Sequence, residues 1–269
     1  MKRSFHLILS VLLLCSATVG CGALKELKPV PAVGTIQERG TLLVGTTGDY
    51  RPLSYMEPET GEYWGFGIDL AGEIAHELGV DISYVPTSWP TLSSDVQNPE
   101  LFDFAIGGIT ITDARLETMA MSDGYLSNGK TILCRAEDAG KYQSQEDLNL
   151  PDVRVMVNPG GLNEKFAREN LPSCHLIVHG KNEEIPALVA AGEADVMITE
   201  ITEAPWYVRN DARLAAPLLD KPFTRGQIGI LMRKGQDDLM KLVNSTIRRM
   251  KSNGSLKSLH DKYGLVYGY

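Results

Sequence analysis

Short apolar strand patterns alternate with amphipathic helical patterns along most of the chain, and this alternation restricts the fold more than any other feature. Thr41-Leu-Leu-Val-Gly45 has the pattern of a buried strand. Residues 67–78 then place Ile68, Ala71, Ile74, Ala75 and Leu78 on one helical face, and Gly79 ends the helix. Asp81-Ile-Ser-Tyr-Val85 and Phe102-Asp-Phe-Ala-Ile106 read as the next strands, with a helix opening near Asp113. A second block repeats the style. Strands are expected at 153–157, 175–179 and 195–198, and helices at 163–170, 182–191 and 202–209. Ile228-Gly-Ile-Leu-Met232 reads as a further strand, and two helices close the chain. Such alternation predicts an α/β fold whose sheets are mostly parallel and covered by helices on both faces. Ligands of parallel sheets lie at the carboxyl ends of the strands, so the loops at 46–50, 107–115, 158–162 and 199–203 are the expected site.

The first 20 residues read as an export signal. Lys2 and Arg3 precede an apolar run from Phe5 to Cys15, too short to span a bilayer as a helix. Gly20-Cys21 resembles a lipobox with Thr18 where leucine is usual, so the chain is expected either to be lipidated at Cys21 or to be cleaved nearby. Residues 21–35, with Pro29 and Pro31, read as a linker. The net charge is −8, and becomes −10 once Lys2 and Arg3 leave with the signal. That balance argues against nucleic acid as a partner. Of the 4 cysteines, Cys134 and Cys174 remain, and an oxidising compartment would permit a disulfide between them. The histidines show no metal-binding spacing.

Three segments carry a resemblance: Gly45-Thr-Thr-Gly-Asp-Tyr-Arg-Pro-Leu53, Gly65-Phe-Gly-Ile-Asp-Leu70 and Phe102-Asp-Phe-Ala-Ile-Gly-Gly-Ile-Thr-Ile-Thr-Asp-Ala-Arg115. They resemble solute-binding protein family 3, the periplasmic amino-acid receptors. The resemblance implies a type II periplasmic-binding-protein fold, with two lobes, a two-strand hinge and a ligand cleft between the lobes. Lobe 1 is expected at 36–132 plus 228–269, and lobe 2 at 133–227. Four further segments, Tyr84–Pro90, Tyr125–Thr131, Val157–Arg168 and Thr199–Ala204, are similar to the cyclohexadienyl dehydratases, exported enzymes built on the receptor fold. That similarity implies decarboxylative dehydration of prephenate to phenylpyruvate, of arogenate to phenylalanine, or of both, in the periplasm. The only membrane contact expected is a lipid at Cys21. The alternative is a non-catalytic amino-acid receptor of an ABC importer.

The reaction protonates a ring hydroxyl, expels it as water and releases the ring carboxylate as carbon dioxide. It asks for a proton donor, anion clamps and a dry cleft, and for neither metal nor redox cofactor. By family position, Arg115 is expected to clamp a carboxylate with its guanidinium fork, beside Thr110 and Gly108. Glu203 is expected to be the general acid, which requires burial or nearby negative charge to raise its pKa. Glu200 matches the acid that holds the ligand's amino group in the receptors. Lys130 and Asn158 match the remaining polar positions, with Lys130 expected to orient the proton on Glu203. Pro159-Gly160-Gly161 opens a helix whose amides suit an anion, although Leu162 stands where threonine would add a hydroxyl. Trp89 and Tyr50 are expected either to pack on the substrate ring or to serve as ordinary core. Taken without the resemblance, Arg115, Lys130, Glu200 and Glu203 would read as surface charges or helix-end acids.

Overall fold

The computed structural model describes residues 31–265. The signal and Cys21 lie outside the described residues. Two five-stranded sheets form the frame, and they share one plan. In the first, three parallel strands stand in the order Asp81–Pro86, Thr41–Thr46, Phe104–Ala105. Leu231–Met232 then adds antiparallel, followed by Ala120–Met121. In the second, His175–Val178, Arg154–Val157 and Val196–Glu200 are parallel. Lys130–Arg135 and Leu214–Ala215 complete it antiparallel. Both sheets are therefore mixed, with a parallel half that carries the expected alternation.

Each sheet has its own apolar core. Leu42, Val44, Phe66, Ile74 and Phe104 are fully buried in the first lobe, and Ile132, Val155, Val196 and Ile198 in the second. The helix Phe66–Leu78 buries one face against the first sheet and ends at Gly79, whose φ of 71° places it in the left-handed region that glycine adopts most easily. The helices Asp237–Asn253 and Ser255–Tyr263 return to the same lobe, where Leu239, Val243, Ile247 and Met250 join its core. No helix among the described residues is long and apolar enough to cross a membrane.

Three expectations differ from the fold. Residues 21–35 do not run as a linker to their end, because the helix Ala32–Arg39 starts at Ala32. Ile36 is buried in the core, and the Val33 amide donates to Asp238 at 2.9 Å. The strand expected at 228–232 divides into Gly226–Ile228 and Leu231–Met232. Its first part pairs with Leu126–Asn128 where the chain passes between lobes, and its second part enters the first sheet. The helix expected at 182–191 opens as a 3-10 turn, Asn182–Glu184, before Ile185–Ala190. Cys134 and Cys174 are both free thiols, so no disulfide joins them.

The lobes are closed on each other. Tyr50 of the first lobe donates its hydroxyl to Glu200 of the second. Trp64 and Trp206 meet across the boundary with ring centroids 5.4 Å apart. Arg209 reaches the backbone carbonyl of Tyr263 at 3.1 Å.

Candidate active site

A narrow cavity lies between the lobes; its enclosed space is about 20 Å³, so in this closed state the side chains fill most of the cleft. All four expected loops reach it. Tyr50, Gly108, Thr110 and Arg115 come from the first lobe, and Asn158, Gly161, Leu162 and Glu200 from the second. Trp89, Lys130 and Asn163 complete the wall. The carboxyl ends of the parallel strands thus open onto this cavity.

Arg115 sits in the helix Asp113–Thr118, whose first turn is capped by Thr112. Its Nη1 donates to the Thr110 carbonyl at 2.6 Å, which holds the guanidinium against the cavity. Burial pushes its pKa down, and Glu200 pulls it back up. Gly108 lines the cavity because only a hydrogen fits there: a Cβ would stand 2.7 Å from the Tyr50 ring. Tyr50 in turn packs edge-on against Trp89, with centroids 5.7 Å apart, and the Trp89 indole donates to Asp49 at 3.0 Å. Both aromatic side chains therefore shape the wall and are held by protein contacts.

The charged centre is set by strand register. Lys130 and Glu200 stand directly opposite each other in the antiparallel ladder between Lys130–Arg135 and Val196–Glu200. Their side chains meet at 2.6 Å, buried on both sides. Lys130 also donates to Asn163 Oδ1 at 2.5 Å. Glu200 accepts from the Tyr50 hydroxyl as well, and from Thr110 Oγ1 at 3.3 Å. Burial pushes the Glu200 pKa up, but Lys130 and the Tyr50 hydroxyl outweigh it and hold this carboxyl below its ordinary value. The expected link from Lys130 to Glu203 is therefore corrected: the ladder gives the lysine to Glu200.

Glu203 does not line the cavity. It is fully buried at the N-cap of the helix Ala204–Asn210. Its carboxyl accepts from Asn182 Nδ2 at 2.6 Å, from the Tyr207 hydroxyl at 3.3 Å and from the Thr199 hydroxyl. Burial pushes its pKa up to about 8; the Thr199 and Asn182 bonds pull against that, while the charges of Glu200 and Asp49 add to it. Two carboxyls three positions apart are thus driven in opposite directions, one kept ionised and one kept protonated near neutral pH.

Two other expectations shift. Asn158 is buried and lines the cavity, but its side-chain partner is Asn163, which donates to Asn158 Oδ1 at 3.4 Å, and not an acid. In the Pro159-Gly160-Gly161 turn, the Gly160 amide already donates to Glu164 at 2.7 Å, which leaves Gly161 as the turn's cavity-facing residue. The sequence reading missed Asn163, Asn182 and Asp49. Asn163 had a signal, since it lies in the first turn of a helix whose preceding loop faces the cleft. Asp49 lies in the expected loop at 46–50, whereas Asn182 had no signal, because its bonds to Glu203 and to the Asp49 carbonyl join residues distant along the chain.

Residues 42–266 match the family model of bacterial extracellular solute-binding proteins, family 3. A cyclohexadienyl dehydratase of Pseudomonas aeruginosa is 38% identical over 224 residues, covering 83% of this chain and 81% of that protein. The L-cystine-binding protein TcyJ of Escherichia coli is 28% identical, covering 85% and 84%. Among solved structures, an ancestral amino-acid-binding protein described as a precursor of cyclohexadienyl dehydratase aligns with a TM-score of 0.79 and 37% identity. That alignment covers 86% of this chain and 98% of the other. An ancestral cyclohexadienyl dehydratase is 50% identical, with a TM-score of 0.54 and coverage of 87% and 96%.

Proposed function

The chain belongs to the bacterial extracellular solute-binding proteins, family 3, and within that family we propose that it is a periplasmic cyclohexadienyl dehydratase acting on prephenate, arogenate or both. The observation that carries this reading is the opposed pair of carboxyls. Environments that split two neighbouring acids into one proton donor and one anion are what acid–base catalysis asks of a site. Burial pushes the Glu203 pKa up to about 8, the direction a general acid needs at neutral pH. The 38% identity to a dehydratase over most of both chains supports the same reading.

Arg115, with Thr110 and Gly108 beside it, holds the side-chain carboxylate in a bidentate fork. Lys130 faces the ring carboxylate while bound to Glu200 and Asn163, which fix the direction of its ammonium. Glu203 supplies the proton. Because it stands outside the cavity lining in the closed structure, transfer requires that substrate binding bring its carboxyl within hydrogen-bond reach of the ring hydroxyl. The hydroxyl leaves as water, the bond from the ring to its carboxylate breaks to release carbon dioxide, and that electron pair completes the aromatic ring. The closed lobes keep bulk water from the carboxylates, which strengthens each of these interactions. Asn158 and Leu162 shape the wall on the second-lobe side, and Trp89 bounds the ring.

One observation favours a second reading, an amino-acid receptor. Glu200 lines the cavity as an anion, at the position that would hold a ligand's amino group. The two readings separate on incubation of the purified protein with prephenate and, separately, arogenate. Appearance of phenylpyruvate or phenylalanine supports the enzyme. Tight stoichiometric binding of an amino acid by calorimetry, without turnover of either substrate, establishes the receptor.

A further inference from the structure

We infer that Asn182 is a positioning residue that couples closure of the lobes to the proton donor, because its amide joins the backbone of one lobe to the buried carboxyl of the other. The inference rests on the assignment of Glu203 as the acid. Asn182 opens the 3-10 turn of the second lobe and is 1% exposed. Its Nδ2 donates to Glu203 Oε1 at 2.6 Å and to the Asp49 carbonyl at 3.2 Å. Asp49 belongs to the strand Asp49–Tyr50 of the first lobe. Asn182 Oδ1 is buried and has no hydrogen-bond partner among the described residues.

Two hydrogens serving two acceptors fix the direction of the amide. A half-turn would set Oδ1 against the Asp49 carbonyl, two acceptors with no proton between them. While the lobes are closed, Asn182 is therefore held as a donor toward Glu203. When they part, the Asp49 carbonyl withdraws and the amide is free to turn, presenting Oδ1 to the hydroxyl of the neutral carboxyl. A donor stabilises the carboxylate that remains after proton transfer, and an acceptor stabilises the neutral acid. Closure thus strengthens Glu203 as an acid when a substrate is enclosed, and opening returns it to holding its proton.

The other groups around Glu203 do not make this switch. Glu200 and Asp49 act as negative charges that oppose its ionisation. The Thr199 and Tyr207 hydroxyls bond to it from the second lobe alone. Tyr50 approaches from the first lobe but gives its hydroxyl to Glu200, and Arg51 acts on Tyr207. Among the described residues bonded to the Glu203 carboxyl, only Asn182 also bonds the opposite lobe.

The test is a carboxyl-carbon NMR titration of glutamate-labelled intact protein, with the Glu203 signal identified by its loss in Glu203→Gln. With the lobes held closed by saturating phenylpyruvate, the Glu203 midpoint in Asn182→Leu should rise by about one pH unit, since a donor to the carboxylate is gone, and without ligand it should not rise. In parallel, kcat for prephenate should fall about tenfold with KM within about threefold, and the alkaline limb of the kcat profile should move up with the NMR midpoint. An unmoved midpoint in the ligand-bound protein overturns the inference, and so does an equal rise with and without ligand or an unchanged kcat profile. Asn182→Ala is read the same way should the leucine variant not fold. If the unmodified protein turns over neither substrate, the dehydratase reading fails by itself, and the titration alone decides whether Asn182 governs this carboxyl.

Discussion

Replacing Glu203 by glutamine should cut turnover by orders of magnitude and at the same time stabilise the protein, by an amount that grows with pH. Glutamate ordinarily titrates at 4.5, and burial raises Glu203 to about 8. The folded state therefore binds a proton that the unfolded state has released throughout that interval. Stability from this group is fully present below pH 4.5 and is lost as pH rises, until about pH 8 where both states are ionised. At about 1.36 kcal/mol per pH unit, the loss is about 3 kcal/mol at pH 7 and about 5 kcal/mol above pH 8. Glutamine needs no proton from solution. Its carbonyl accepts from Asn182 as the carboxyl does, and its amide can donate to the Thr199 hydroxyl once that hydroxyl turns from donor to acceptor. Glu203→Gln should match the wild type near pH 4.5 and exceed it by about 3 kcal/mol at pH 7, a rise in Tm of about 6–12 °C for a chain of this size. Loss of the general acid should lower kcat by about 10²–10⁴. Thermal melts at pH 4.5, 6, 7 and 8 with turnover measured on the same samples give both numbers. A stability difference that stays constant over that pH range would refute the claim that Glu203 is held neutral in the fold.

The remaining expectations concern the same cavity. Lys130→Met leaves the buried Glu200 carboxylate without its 2.6 Å partner, so it should destabilise the fold by about 3–5 kcal/mol in denaturant titration and lower kcat at least a hundredfold. Arg115→Lys keeps the charge but loses the planar fork, and should raise KM for prephenate at least tenfold while kcat changes less. Gly108→Ala sets a methyl group 2.7 Å from the Tyr50 ring. It should cost about 1–3 kcal/mol and weaken binding of phenylpyruvate, with calorimetry as the measure.

Much of the frame was legible in the sequence because it rests on local periodicity. The helix Phe66–Leu78 announced itself by apolar residues at helical spacing and a terminal glycine, and the structure ends it at that glycine. The parallel strands announced themselves as short apolar runs, and their carboxyl ends gave the loops that line the cavity. Failures came where a contact from elsewhere overrode a local pattern. The apolar run at 228–232 reads as one strand, but its two parts pair with different partners, Leu126–Asn128 and the first sheet. Pro31 reads as linker, yet the helix after it is fixed by burial of Ile36 and by Asp238, 205 positions away.

The residue types of the site were set by the sequence: two acids in Thr199-Glu-Ile-Thr-Glu203, a lysine in Tyr125-Leu-Ser-Asn-Gly-Lys-Thr131 and an arginine after a Gly-Gly turn. Nothing local says which acid meets the lysine. Tertiary structure decides it through the antiparallel register that sets Glu200 opposite Lys130, and through the turn that carries Glu203 past the strand end to a buried place among Asn182, Thr199 and Tyr207. One carboxyl therefore has a cation within reach and the other only neutral donors. Charge, unlike periodicity, takes its energy from neighbours that are distant along the chain and adjacent only after folding.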